Sequence, residues 1–410
     1  MNKSDIAIIR ELAKQYAQLA FSDKNNENMQ RMRNVNALRR CRPAVYIHEL
    51  PWHELNIDNQ LTLRCEDPVL QEFERHFRCS LLQDKYFPCD MVYQPCAPVW
   101  KKKNDSGIGM DAIDHVVATN EQNHIVSHEY ADQLQTAEDL EKLHPPVITY
   151  DKEDTERRLA MAQEVFDGIL PVKLTGHVMH WNPWDDIARF RGVQPLLMDL
   201  AMRPEFMHDI MKKMLIIAES TITQLEQQDL LGTEYPYIHC TAALCDELPQ
   251  KDGGVRANNI WGRGTAQIFG SVSPAMHDEF DTSYMVRFME HFGLVYYGCC
   301  EPLHDKVHIM EKIPNLRKLS ITPWAKVEPA AEAIGSKYVY AHKPNPAFVA
   351  ETSFNADVVH KEITSVLTAC KKNNCTCEFV LKDISTCSSR PENIFEWEKT
   401  VMETVMEFNY

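Results

Sequence analysis

Two adjacent thiols, a carboxylate and an imidazole follow one apolar run in this chain. Residues 294–297 are aliphatic or aromatic, as in a buried parallel strand, and Cys299, Cys300, Glu301 and His304 come just after them. Cysteine, histidine and carboxylate side chains are the ligands that zinc takes in proteins, and a catalytic zinc site supplies three of them. We therefore predict a metal site on Cys299, Cys300 and Glu301, in which Glu301 is also a catalytic carboxylate.

The ligand that completes this metal site is left open by the sequence. Side chains alternate along a strand, which predicts that Tyr297, Cys299 and Glu301 share one face. The remaining ligand is one of four residues at predicted strand ends: His239, His342, Asp383 or Cys300. The alternative interpretation is a tightly packed strand end that binds no metal.

Polar and aromatic residues also follow the other predicted strands. Lys382 and Asp383 end the last strand, and we predict catalytic roles for both, because isolated charges are costly there unless they are neutralised or used. Nine residues at strand ends are predicted to bind substrate: His48, Trp52, His177, His180, His239, Tyr297, Trp324, His342 and Asn345. The aromatic residues near these ends suit a methylated amine through cation–π contact, or an aryl methyl ether through stacking.

The order of strands and helices predicts how these residues meet. Strands are predicted within 42–54 and at 86–94, 172–178, 235–241, 294–299, 316–322, 337–342 and 377–382, with helices between most of them. No G-x-G-x-x-G turn follows any strand, so the pattern favours an α/β fold of the (β/α)8 TIM-barrel type over an open doubly wound sheet. We predict a helical extension at 1–40, a barrel domain at 41–410 and a β-rich insertion at about 95–135.

Composition excludes several classes of protein. The formal net charge of −16 argues against a nucleic-acid binder, which needs a basic face. No window approaches the roughly 18 apolar residues of a membrane span, and the first residues lack the apolar core of a signal peptide. The 13 cysteines do not form a small-domain disulfide pattern, so we expect reduced thiols in a cytoplasmic protein. A homodimer is left open.

Three segments carry a resemblance to a known family. They are Pro43-Ala-Val-Tyr-Ile47, the stretch 192–204 with Leu-Leu-Met-Asp-Leu-Ala-Met-Arg-Pro, and Ser271-Val-Ser-Pro-Ala-Met-His-Asp-Glu-Phe280. Together with the spacing that follows, they resemble the uroporphyrinogen decarboxylase superfamily over about residues 40–405. The closest likeness is to its zinc-dependent, corrinoid-linked methyltransferases. In that branch the strand that corresponds to 294–299 resembles His-x-Cys-Gly, and Cys299 matches its cysteine.

The resemblance implies a TIM-barrel methyltransferase, or demethylase, that moves a methyl group between a small O- or N-methyl compound and a corrinoid protein, with zinc at the barrel mouth. The chain departs from that pattern at two places, because Tyr297 stands where the histidine would fall and Lys382-Asp383 where a later cysteine is expected. The arginine-rich signature of the decarboxylase branch does not follow Arg42-Pro43. The alternatives are a decarboxylase or lyase on the same barrel without metal, and a non-catalytic barrel that binds a corrinoid protein or a small ligand.

Overall fold

The computed structural model describes residues 2–117, 127–233, 235–249 and 252–410. The helices in these ranges are α1 (Lys3–Ala20), α2 (Asp23–Asn36), α3 (Pro68–Tyr86), α4 (Ala137–Leu140), α5 (Lys152–Phe166), α6 (Pro183–Arg191), α7 (Val193–Met202), α8 (Pro204–Gln227), α9 (Pro274–His277), α10 (Ser283–Met289), α11 (Val307–Met310), α12 (Val327–Ile334), α13 (Ala356–Lys372) and α14 (Glu392–Glu407). The strands are β1 (Ala44–Ile47), β2 (Ala97–Trp100), β3 (Lys102–Asp105), β4 (Asp114–Val117), β5 (Ser127–Tyr130), β6 (Ile148–Asp151), β7 (Val172–Thr175), β8 (Met179–Trp181), β9 (Tyr237–Ile238), β10 (Thr241–Ala242), β11 (Trp261–Gly264), β12 (Leu294–Tyr297), β13 (Leu316–Ile321), β14 (Val339–His342) and β15 (Thr376–Leu381).

A parallel sheet of seven strands organises the described chain. Its order is β1, β15, β14, β13, β12, β11 and β8, and every neighbouring pair is parallel. All seven carboxyl ends therefore lie at the same edge of the sheet, which is where α/β proteins place their functional residues. The predicted α/β class is confirmed, with seven parallel strands rather than eight in the part of the chain that the structure describes.

The antiparallel hairpin β9–β10 lies between the two edge strands of this sheet. The Tyr237 ring centroid is 5.7 Å from that of Tyr46 in β1 and 4.4 Å from that of His48. At the other edge, the rings of His239 and His180 in β8 are 6.1 Å apart. The hairpin therefore contacts both edges of the sheet.

A buried ion pair fixes this hairpin to the interior of the sheet. The Lys318 Nζ atom in β13 is 2.8 Å from Oε1 of Glu378 in β15, and both side chains are fully buried. Lys318 also donates to the Ala242 carbonyl (2.9 Å), and the Thr241 hydroxyl donates to Glu378 (3.0 Å). Because each charge meets its counter-charge and further polar partners, the pair is tolerated in the core.

The prediction of a strand at 86–94 is wrong. Helix α3 continues to Tyr86, and the residues after it are irregular. Several of their backbone groups bond to side chains: Asn28 donates to the Met91 carbonyl (3.0 Å), and Asn25 both donates to the Tyr93 carbonyl and accepts from its N–H. The Asp90 N–H donates to the Val45 carbonyl of β1 (2.9 Å), which is a contact with the sheet but not a strand pairing. Polar residues of α2 thus satisfy part of the backbone of this segment.

The prediction that residues 235–241 form the fourth strand of the main sheet is also wrong. These residues belong to the hairpin β9–β10 instead. The sheet strand in this part of the chain is β11, which lies in a glycine-containing segment where no strand was predicted. A Cβ atom on Gly262 would lie 2.6 Å from the Phe292 ring, and one on Gly264 would lie 2.9 Å from the Met285 sulfur. Glycine is therefore required where the helix after β11 packs against this strand.

Secondary-structure elements also lie within the other predicted segments. The N-terminal extension consists of the two helices α1 and α2, and the insertion at about 95–135 contains β2 to β5, although residues 118–126 of that prediction lie outside the described residues. The third predicted strand, at 172–178, contains β7, which pairs with β2 and not with the main sheet. The main-sheet strand is β8, which begins just after the predicted range, at Met179. None of the helices in the described ranges combines the length and the apolar character needed to span a bilayer.

Candidate functional site

Four residues predicted from two strand ends meet at the carboxyl edge of the sheet. The Lys382 Nζ atom, after β15, is 3.2 Å from the Cys299 sulfur and 3.7 Å from the Cys300 sulfur, both after β12. The two sulfur atoms are 3.7 Å apart. Asp383 completes the group, with a carboxylate oxygen 2.7 Å from Lys382 Nζ and 3.5 Å from the Cys300 sulfur. We call these four residues the thiol–lysine cluster.

The thiol–lysine cluster favours one thiolate. The pKa of Cys299 is lowered to about 6, chiefly by the hydrogen bond from Cys300 and then by the charges of Lys382 and Arg263, which outweigh the effect of burial. The same hydrogen bond raises the pKa of Cys300. A thiolate is the nucleophilic and metal-binding form of cysteine, so Cys299 is held in its reactive form near neutral pH.

Glu301 holds the loop in which these cysteines lie. Its carboxylate accepts hydrogen bonds from the Thr265 hydroxyl (2.9 Å), the Ala266 N–H (3.1 Å) and the Cys299 N–H (2.9 Å), and the side chain is buried. These donors come from the ends of β11 and β12. The predicted metal-ligating and catalytic carboxylate is therefore occupied in joining two strand ends, and we do not retain it as a ligand.

Tyr297 does not share a face with Cys299, which corrects the predicted alternation. The Tyr297 hydroxyl donates to Asp281 (2.6 Å) and lies 2.7 Å from Nε2 of His277, on the helical side of the sheet. Strand β12 ends at Tyr297, and Gly298 follows with a φ of +100°, so the period of two stops there. The tyrosine predicted to bind substrate is thus a buried structural residue.

A second group of metal-ligand side chains lies beside the thiol–lysine cluster. The ligand atoms of Glu49, His239 and Cys240 all lie within 4.8 Å of one another. Glu49 Oε1 is 3.1 Å from His239 Nδ1, and the other oxygen of Glu49 is 3.9 Å from Lys382 Nζ. Hydrogen bonds with Cys240 and Glu49 raise the pKa of His239 to about 9. We call Glu49, His239 and Cys240 the ligand triad.

Two further histidines predicted to bind substrate lie near the triad. His180 contacts His239 through its ring, and burial lowers its pKa to about 4, so it is neutral near pH 7. His48 precedes Glu49, and its Nε2 atom is buried without a hydrogen-bond partner in the described structure. The structure therefore brings His48, His180 and His239 together.

The other predicted substrate residues are placed elsewhere. His177 Nε2 is 2.9 Å from the Lys101 carbonyl, and His342 Nε2 is 3.7 Å from Glu362 of helix α13. The Asn345 side chain caps a short 3-10 helix by accepting from the Ala347 N–H (3.0 Å). Trp52 packs against the hydrophobic core, and Trp324 is 67% exposed.

The chain was compared with protein families, curated sequences and solved structures. No protein-family profile matches the chain, and no curated sequence matches it either. Among solved structures, the chain is similar to a methyltransferase from Methanosarcina mazei, with 10% sequence identity, a TM-score of 0.49, and coverage of 93% of this chain and 99% of that one. A similarity of this strength carries no argument about activity, so the interpretation depends on the residues themselves.

Two buried ionisable residues of the site, Arg263 and Lys343, and one half-buried residue, Asp185, were not among the predicted site residues. Arg263 lies on β11, the strand that the glycines concealed, and Lys343 directly follows β14. Asp185, at the start of α6, interacts electrostatically with Cys299 and Glu301, and Gln267 donates to its carboxylate (2.9 Å). Burial, reinforced by Glu301 and Cys299, raises the pKa of Asp185 to about 7. A charged residue next to a strand end was the only sequence signal available for Lys343 and Asp185.

Proposed function

We propose that this protein is a methyltransferase that moves a methyl group between a small methylated compound and a corrinoid protein, with zinc bound at the carboxyl edge of the sheet. The observation that carries the proposal is the ligand triad, Glu49, His239 and Cys240, beside the low-pKa thiol of Cys299. The resemblance of the sequence to corrinoid-linked methyltransferases supplies the reaction class. On this proposal the hairpin β9–β10 takes the place of an eighth strand in a (β/α)8-type barrel.

The ligand triad suits zinc by chemistry and by spacing. It offers one sulfur, one nitrogen and one carboxylate oxygen, all within 4.8 Å of one another. Ligands at roughly 2.0–2.3 Å from a tetrahedral ion lie about 3.3–3.8 Å apart, so small side-chain movements would complete the site and leave a fourth position open. Bound there, zinc would act as a Lewis acid towards the heteroatom that carries the methyl group.

The protein's own residues would handle the charge and the proton. When the methyl–heteroatom bond breaks, the methyl group leaves with the corrinoid partner, and the heteroatom keeps the electron pair and requires a proton. Asp185, with a pKa of about 7, holds a proton near neutral pH and would act as the general acid. The Cys299 thiolate and Lys382 form a pair of opposite charges next to it, with Asp383 as a second partner of Lys382, and this pair would orient the substrate.

Metal analysis of variants tests the ligand triad. We expect near-stoichiometric zinc in the wild-type protein purified without chelator, and loss of most of it in Glu49→Gln, His239→Ala and Cys240→Ser. Cys245→Ser is the matched control, because it removes a thiol from the same loop outside the triad. Full zinc content in all three triad variants would refute this ligand assignment.

Turnover distinguishes the proposed function from its alternatives. We expect methyl transfer from O- or N-methyl compounds to a reduced corrinoid acceptor, and its loss in Asp185→Asn with zinc retained. A lyase that uses Lys382 and Asp383 would convert substrate without zinc and without a corrinoid acceptor. A non-catalytic binding protein would show neither reaction, and either result would exclude the methyltransferase.

A further inference from the structure

Two buried cationic side chains at the site have no hydrogen-bonded counter-charge among the described residues, although Arg263 interacts electrostatically with Cys299 and Glu301. Arg263 is 4% exposed and Lys343 is 2% exposed. The Nε and one Nη atom of Arg263, and Nζ of Lys343, are buried without a hydrogen-bond partner among the described residues. A buried charge of this kind is costly unless something pairs with it, so both residues require an explanation.

The other buried lysines at this end of the fold each have a carboxylate or carbonyl partner, unlike Lys343. Lys318 lies 2.8 Å from Glu378, and Lys382 lies 2.7 Å from Asp383. Lys306 donates to the Phe269 carbonyl (2.7 Å). The fold thus neutralises or bonds a buried lysine wherever the charge is structural.

Arg263 and Lys343 face the same side chain. Tyr296 is paired in register with Arg263 across β11 and β12, and the Lys343 Nζ atom lies 5.6 Å from the centroid of its ring. The Tyr296 hydroxyl and the Nε2 atom of His48 are also buried and without a partner in the described chain. Arg263 also acts electrostatically on His239, and Lys343 on His48. Two cations and two further side chains, each with at least one buried polar atom that lacks a hydrogen bond in the described structure, therefore lie close together next to the ligand triad.

We propose that Arg263 and Lys343 bind a carboxylate of the substrate, so that the methylated compound is also a carboxylic acid. The planar guanidinium of Arg263 matches a carboxylate in a bidentate arrangement, and Lys343 adds a point charge. The Tyr296 hydroxyl can donate a further hydrogen bond. This inference rests on the proposed function for the identity of the reaction, but the binding of an anion can be measured without turnover.

Calorimetric titration with benzoate, and with benzyl alcohol as its neutral analogue, tests the inference on the whole protein. We expect benzoate to bind and benzyl alcohol to bind at least about tenfold more weakly, because hydrogen bonds to charged groups contribute that much or more. Arg263→Met and Lys343→Met should each weaken benzoate binding by about tenfold or more. Lys326→Met, which removes an exposed lysine, should leave it unchanged.

The binding measurements can fail or succeed independently of methyl transfer. Circular dichroism establishes that each variant is folded, and Arg263→Lys, which keeps the charge but not the bidentate geometry, should show an intermediate loss. Equal binding of benzoate and benzyl alcohol, or unchanged benzoate binding in both methionine variants, would overturn the inference. Tighter binding of inorganic phosphate than of benzoate would overturn the choice of a carboxylate. Benzoate binding without methyl transfer would leave the anion site intact and exclude the methyltransferase.

Discussion

Replacing Lys382 by methionine tests the electrostatics of the thiol–lysine cluster. The Lys382 Nζ atom is 3.2 Å from the Cys299 sulfur, which corresponds to an attraction of about 5 kcal/mol at an effective dielectric constant of about 20. The carboxylate of Asp383 offsets part of this, and the hydrogen bond from Cys300 is the larger cause of the low pKa. We therefore expect Lys382→Met to raise the pKa of Cys299 by about one to two units, at 1.36 kcal/mol per unit.

The ultraviolet absorbance of the thiolate, followed across a pH titration, measures this pKa. Each protein is compared with its own Cys299→Ser counterpart, so that the difference reports Cys299 alone. Methionine preserves most of the volume of the lysine side chain, and Lys326→Met controls for the loss of one positive charge from the protein. An unchanged midpoint in Lys382→Met would show that Lys382 does not stabilise the thiolate, and the reasoning would fail.

Three other perturbations have definite expected results. The folded pKa of Asp185, about 7, lies above its usual value of 3.8, so its contribution to stability is full below about pH 4 and is lost as the pH rises to about 7. Asp185→Asn should therefore be more stable than the wild type above pH 7, by up to about 4 kcal/mol in urea unfolding, and equal stability at pH 8 would contradict this. Lys318→Met should lower the free energy of unfolding by about 3–5 kcal/mol, because it leaves Glu378 buried and unpaired. Adding Glu378→Leu should recover much of that stability, and a double variant less stable than Lys318→Met would contradict this. Gly298→Ala should lower the free energy of unfolding by about 1–3 kcal/mol, because the added Cβ would lie 3.1 Å from the Ser320 Cβ and the backbone φ is positive. An unfolding midpoint equal to that of the wild type would rule out this strain.

The strands of the C-terminal half were predictable because they are short segments rich in aliphatic and aromatic residues that alternate with amphipathic helices. Residues 316–321 and 376–381 show this pattern, and their parallel pairing through β14 follows from the intervening helices. That pairing predicts that Cys299 and Lys382 lie at the same edge of the sheet. Because β13 and β14 separate their strands, the contact between the two side chains also requires the sheet to curve, which the strand order does not give.

Other features depend on contacts that a linear pattern does not contain. Strand β11 holds two glycines because Phe292 and Met285 approach it closely, and those same glycines made it resemble a loop. Arg263 was missed with it. The face of Tyr297 was predicted wrongly because Gly298 breaks the alternation. The ligand triad joins Glu49 to His239 and Cys240, nearly two hundred residues away, so no local spacing could indicate it.

The hairpin β9–β10 carries candidate functional residues but no strand of the main sheet. Within the described part of the chain its two strands pair only with each other, yet the hairpin carries His239 and Cys240, and its main link to the interior of the sheet is through Thr241 and Ala242. Positions 239 and 240 can therefore vary while the seven parallel strands keep their hydrogen bonds. If the proposed function holds, a library confined to the turn of this short segment would change metal preference and substrate range while the seven-stranded sheet is kept.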